Sequence, residues 1–136
     1  VFKKHFVFFI MLEDLYRAQV LAHAREPHNR HALPDAFSAE ARRVSCGDML
    51  TLFVRFADGK VQDASFVGEG CAVSLASASL FTDFLKGKKG EELDRLEETV
   101  VYDLLHTQVA LARQPCALLV FSAFWEVREK IREHYK

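Results

Sequence analysis

Three cysteines and one aspartate are the residues of this chain best suited to chemistry. Cys46 lies in Ser-Cys-Gly-Asp with Asp48 two residues on, Cys71 in Gly-Glu-Gly-Cys, and Cys116 in Arg-Gln-Pro-Cys. Thiolates are soft donors for zinc and iron, and three of them with one carboxylate make four ligands, enough for a tetrahedral zinc or for anchoring an iron-sulfur cluster. Side chains two apart in an extended segment leave the same face, so Cys46 and Asp48 could share one ion, with Gly47 letting the backbone turn sharply between them. Cys71 precedes a helical pattern, and Cys116 follows Pro115 at the predicted start of another. The free N–H groups at helix starts favour negative charge, so both thiols are expected to ionise more readily than usual. The competing reading is a buried core role, because free cysteine is among the most buried residue types and there is no Cys-x-x-Cys pair. Gly47, Gly68 and Gly70 crowd two of the cysteines, which suits close approach of backbone to a ligand and equally suits a hairpin end.

The elements that must carry these residues are readable from periodicity. Leu12, Tyr16, Val20 and His23 recur at helical spacing, which predicts a helix from about Glu13 to Arg25 that Pro27 limits. His28 to Ala36 reads as a loop, and Phe37 to Val44 as an edge strand. Leu50, Leu52, Val54 and Phe56 alternate with Thr51, Phe53 and Arg55, Asp58-Gly59 offers a tight hairpin turn, and the hairpin returns through Val61 to Val67. Ala72 to Leu85 is a helix of small residues closing at Lys86-Gly87. Lys86 to Glu98 reads as a solvated linker or short helix, Thr99 to Ala112 as a helix, and Val120, Phe124, Val127 and Ile131 mark the last one.

The chain has 136 residues, half of them apolar, which is sufficient for one domain with its own core. Its 18 basic and 19 acidic side chains leave a net charge of −1, so no global field would recruit nucleic acid or an acidic membrane. No disulfide arrangement uses all three cysteines, which fits a reducing cytoplasm rather than a secreted module. Residues 1–11 stand apart. Lys3 and Lys4 before the apolar run Phe6 to Leu12 imitate a signal peptide, but the run is too short to span a bilayer and no small-residue cleavage site follows. Either upstream sequence read through Met11 or an extra phenylalanine-rich turn would explain it, with residues 12–136 as the single domain.

Taken in order, Leu15-Tyr16, His23, Pro27, Asn29, Cys46-Gly47-Asp48, Phe66-Val67-Gly68-Glu69-Gly70-Cys71-Ala72-Val73-Ser74, Ala76-Ser77-Ala78-Ser79, and Arg113 three before Cys116-Ala117 resemble the iron-sulfur cluster assembly scaffolds called IscU, SufU and NifU N-terminal domain. The resemblance implies an α+β fold in which a three-stranded antiparallel sheet packs against about four to five helices. It gives Cys46, Asp48, Cys71 and Cys116 the ligand roles. Such proteins accept sulfur from a pyridoxal-phosphate cysteine desulfurase, hold a transient [2Fe-2S] cluster and pass it to apo iron-sulfur acceptors, and many bind zinc. The chain has Pro115 where IscU proteins carry histidine and lacks their Leu-Pro-Pro-Val-Lys segment, so the resemblance does not extend to a dedicated chaperone. It also lacks the insertion between the second and third cysteines that SufU proteins carry, although SufU remains the nearest branch.

The implied function is a non-enzymatic scaffold in which Asp48, a harder ligand than a thiolate, keeps the cluster releasable. The alternative is a zinc-dependent sulfurtransferase partner in which Cys116 leaves the metal to accept the desulfurase persulfide. A third reading is a zinc-stabilised interaction module. Arg113 could steer a persulfide or cluster. His23 reads as a hydrogen-bonded helix residue, Tyr16 and Trp125 as core, and His28, His31, Arg42 and Arg43 as a basic surface able to dock a partner.

Overall fold

Alternating burial along the middle of the chain builds the sheet. In a computed structural model, which describes residues 2–45 and 47–136 and the side chains of 14–45 and 47–136, β1 (Phe37–Arg43), β2 (Asp48–Ala57) and β3 (Lys60–Glu69) form one antiparallel sheet in that order. Leu50, Leu52 and Val54 of β2 are buried while Thr51 and Phe53 between them are half-buried, and Leu52 pairs with Ala39 on one side and Phe66 on the other. The turn is made by Asp58 and Gly59 at φ of 55° and 76°, the paired positive angles that keep a two-residue hairpin in step with strand twist.

Helices cover the apolar face. α1 (Phe2–Arg25) packs on α2 (Ala72–Leu85), α2 packs on β3, and after α3 (Gly90–Arg95), α4 (Thr99–Leu105), a 3-10 turn at Leu111–Arg113 and α5 (Gln114–Ala117), the long α6 (Leu119–His134) packs on β1 and β2. Only Leu118 separates α5 from α6, so the described residues make five helical bodies, in line with the expected architecture. The small residues of α2, Ala76, Ser77, Ala78 and Ser79, are all buried and allow sheet and helices to close on it.

Three expectations are corrected. α1 starts at Phe2 rather than near Glu13, because residues 2–12 contain neither proline nor glycine to stop a helix. Val1 and the side chains of residues 2–13, on which the reading of 1–11 as an extension turns, lie outside the described residues. The helix expected to reach Ala112 ends at Leu105, where His106 takes a left-handed conformation, φ 54°, and stacks on Tyr16 at 4.7 Å. Trp125 is 54% exposed rather than core; it lies on the outer face of α6, with the buried Arg128 guanidinium 4.3 Å over its ring. α2 closes where expected, at Lys86-Gly87: Lys86 is the cap residue and Gly87 after it takes the left-handed conformation, φ 83°.

His23 behaves as its helical position suggested. It is buried, with Nδ1 2.7 Å from Ser79 Oγ, which also accepts the His28 backbone N–H at 2.8 Å. Burial, with the neighbouring His28 second, holds its imidazole below the ordinary 6.5, against an opposing pull from Asp83. A folded-state pKa below the unfolded value means stability is complete above about pH 6.5 and falls as pH drops beneath it, because the unfolded chain takes up the proton more readily. The Asp83 carboxyl resists burial but is held low by hydrogen bonds from His28 and Asn29, so its contribution is lost only at more acid pH, below its ordinary 3.8. We expect the urea midpoint to decline between pH 7.5 and 5.5 in the parent and to be flatter in His23→Asn. Equal slopes would remove His23 as the cause.

Candidate metal centre

Asp48 is in phase with Leu50, Leu52 and Val54, so the alternation that buries those residues also turns its carboxylate inward at the first residue of β2. There it meets the start of two helices. Cys71 is the residue before α2, and Cys116 lies in α5, which opens on Gln114-Pro115; proline fits a helix's first turn because its missing N–H would have no partner there. A carboxylate oxygen of Asp48 and the sulfurs of Cys71 and Cys116 all lie within 4.8 Å of one another. Tetrahedral zinc with bonds of about 2.3 Å sets sulfurs roughly 3.8 Å apart. The three donors therefore suit such an ion after drawing in by about 1 Å at most. Among the described residues this is the one group of three or more histidine, cysteine or acidic donors so placed.

Backbone shape makes the meeting possible. Gly68 sits at φ 149°, and a side chain there would begin 2.2 Å from the Met49 carbonyl oxygen, so only glycine lets β3 run this close to β2. At Gly70 a Cβ would lie 2.9 Å from Ser74 Cβ and 3.2 Å from Asp48 Cγ. Cys46, the fourth expected ligand, lies outside the described residues. Its neighbours Val44, Ser45 and Gly47 lie in a turn in which the Gly47 N–H donates to the Arg43 carbonyl at 3.0 Å, and Gly47 makes the sharp bend expected of it at φ 73°.

The two described thiols are not alike. Burial pushes the Cys71 thiol up, but hydrogen bonding from Ser74, the Val73 backbone N–H and the Cys116 side chain together outweigh it and bring it below its ordinary value, without a closed helix-cap hydrogen bond. Cys116 is 1% exposed, and burial, followed by the adjoining Cys71 and Asp48, pushes its thiol up to about 11. The expectation that both ionise easily is thus corrected for Cys116. Charge already present on Cys71 and Asp48 makes a third anion costly until a cation enters.

Two arginines flank this sulfur. Arg43 donates from Nη1 to Cys116 Sγ at 3.5 Å and from Nε to Ser45 Oγ at 3.2 Å. The exposed Arg113 guanidinium has its own pKa raised by a hydrogen bond to Cys116 and by the charges of Cys71 and Cys116. Arg113 was singled out in the sequence, whereas Arg43 and Ser74 were not assigned to the site. The antiparallel register that sets Arg43 opposite Asp48 was the available signal for Arg43. For Ser74 it was a hydroxyl one helical turn after Cys71. His23, His28 and His31 are absent from the donor group, and Trp125 lies on α6.

A carboxylate and two cysteines gathered at one end of a sheet, beside two helix starts, define a small α+β domain with a potential metal site. A family model described as the NifU-like N terminal domain matches residues 15–127, and the chain belongs to that family. It is 38% identical over 81 residues to the "Iron-sulfur cluster assembly scaffold protein IscU" of Streptococcus pyogenes, covering 60% of this chain and 51% of the relative. It is 39% identical over 77 residues to the "Zinc-dependent sulfurtransferase SufU" of Bacillus subtilis, covering 57% and 52%. The matched segment therefore spans about half the length of these curated relatives. A NifU-like protein from Brucella abortus superposes with a TM-score of 0.66 at 25% identity, covering 90% of this chain and 98% of that one.

Proposed function

We propose that this domain is an iron-sulfur cluster assembly scaffold that accepts sulfur from a cysteine desulfurase and holds a transient [2Fe-2S] cluster for transfer to apo acceptors. The observation that carries this is the convergence of Asp48, Cys71 and Cys116 donor atoms within 4.8 Å. Cys46 would add the fourth donor. The cluster is cargo, and the chain's own residues do three things. Cys71, the readily ionised thiol, offers a thiolate at the start of α2. Asp48 supplies a harder donor that lowers retention. Cys116 accepts sulfur: its thiol proton leaves to the departing donor cysteine as its sulfur bonds the terminal sulfur of the donor's persulfide and the donor's sulfur–sulfur bond breaks. The transfer needs no oxidant, and an external two-electron reductant must then convert the transferred sulfur to the sulfide a cluster contains. Arg43 and Arg113 lie where they offset the negative charge carried by that persulfide. Among the described residues no helix is long and apolar enough to cross a membrane, and we assign the work to a reducing cytoplasm.

A second reading, a zinc-dependent sulfur acceptor that activates the desulfurase without building a cluster, is favoured by the likeness to the zinc-dependent sulfurtransferase of Bacillus subtilis and by a donor set that also fits zinc. Anaerobic purification followed by metal analysis and visible absorption, before and after incubation with iron, cysteine and a desulfurase, separates the two. A cluster spectrum supports the scaffold. Retained zinc, no cluster and faster desulfurase turnover support the sulfur acceptor. In the scaffold, Asp48→Ala is expected to lengthen the lifetime of the reconstituted cluster under a chelator challenge by about tenfold, the scale typical of changes around a metal. A cluster equally labile in the variant would sink the role given to Asp48.

A further inference from the structure

Ser74, in the first turn of α2, is 2% exposed, and its hydroxyl lies between two of the site's donors. Its Oγ is 2.7 Å from Asp48 Oδ2 and 3.4 Å from Cys71 Sγ. A hydroxyl has one proton, and the shorter contact, to a carboxylate, takes it. The O–H therefore donates to Asp48, while the same oxygen rests against the Cys71 sulfur. One residue thus acts on two donors carried by different elements, a strand start and a helix start. The space around it is closed: a Cβ at Gly70 would approach Ser74 Oγ to 3.1 Å, so the end of β3 passes directly over the contact.

We infer that Ser74 is a positioning residue that fixes Asp48 as a single-oxygen donor and sets the number and kind of donors the site presents to a metal ion. A carboxylate bound through both oxygens needs both turned toward the ion. The bond from Ser74 occupies Oδ2 and pins rotation about the Cβ–Cγ bond, leaving one oxygen to join the sulfurs. The result is one oxygen beside two sulfurs, donors of the kind four-coordinate zinc takes, instead of the larger oxygen-rich shell that a freely rotating carboxylate would allow. The inference rests on the reading of Asp48, Cys71 and Cys116 as metal donors.

The test uses the full chain loaded with zinc or cobalt(II) alone. Zinc affinity is measured by chelator competition and donor geometry by the cobalt ligand-field spectrum, intense for four-coordinate and weaker for higher-coordinate ions. Ser74→Ala is expected to lower zinc affinity about 10–100-fold, the usual cost of losing a group that orients a ligand, and to weaken the cobalt bands. Ser74→Thr should restore both. Ser77→Ala, removing a buried hydroxyl of the same helix that makes no hydrogen bond among the described residues, should change neither. Circular dichroism of the metal-free variants checks folding. Should the alanine variant not fold, Ser74→Thr against Ser74→Val compares equal bulk with and without the hydroxyl. Parent-like affinity and spectrum in folded Ser74→Ala or Ser74→Val overturns the inference alone. A parent protein that binds neither zinc nor cobalt overturns the metal reading, and the role of Ser74 with it.

Discussion

Cys116→Ser is expected to weaken zinc binding by roughly two to three orders of magnitude and to abolish stable cluster formation while the metal-free fold survives. A four-ligand structural zinc site contributes about 10–16 kcal/mol at neutral pH, so one thiolate accounts for roughly 3–4 kcal/mol of it. A serine hydroxyl is harder and does not ionise near neutrality, so it recovers little of that. The fold should tolerate the change. Cys116 is 1% exposed, but oxygen for sulfur is a small volume change, and the new hydroxyl would meet the Arg43 guanidinium, now 3.5 Å from the sulfur, and the Asp48 carboxylate. Chelator competition measures the first quantity and thermal unfolding of the metal-free proteins the second. Unchanged zinc affinity would remove Cys116 from the ligand set. A variant that unfolds without metal would assign its sulfur to the core, the competing reading of a buried cysteine.

The parts of the site legible in the sequence were those fixed by local geometry. Cys71 at the head of α2 follows from a strand ending at Glu69 and a helical pattern beginning at Ala72, and the hairpin turn follows from Asp58-Gly59, whereas the register shift between Arg55 and Phe56 beyond that turn has no local signal. Two contacts depend on elements far apart in the chain. Arg43 reaches Cys116 across 73 positions and Ser74 reaches Asp48 across 26, and nothing in a local window brings either pair together. The Cys116 thiol shows the same limit. A helix start alone would make it acidic, but burial beside Cys71 and Asp48 reverses the direction, and both neighbours arrive through tertiary structure. His106 illustrates a different gap. A left-handed residue stacked on Tyr16 ends α4 where the local pattern would have continued, because a ring from α1 stabilises the break. Trp125 reads as core in the sequence; on α6 its ring instead lies at the surface beside the Arg128 guanidinium.

Phe81→Ala is expected to cost about 3–5 kcal/mol, against the 5–15 kcal/mol that holds a domain of this size together. Phe81 is fully buried on α2, and its ring lies 5.2 Å from Phe124, 6.1 Å from Phe121 and 6.2 Å from Phe84, so it joins the helix that starts at Cys71 to α6. Removing the ring leaves a cavity between these helices and forfeits the edge-to-face contacts as well as the buried area. The metal-free midpoint should fall by about 10–20 °C. Phe81→Leu, which keeps most of the volume, should cost less than about 1.5 kcal/mol. Phe81 lies almost three turns along α2 from Cys71, so the folded variant should still bind zinc, and a hundredfold excess over the dissociation constant should return about 2.7 kcal/mol. Metal-free and zinc-loaded thermal unfolding of the three proteins measures all of this. A loss in Phe81→Ala no larger than in Phe81→Leu would show that the core closes over the missing ring. A loss that zinc leaves untouched would show instead that the donors come together only when α2 and α6 are locked, tying the metal site to the packing beneath it.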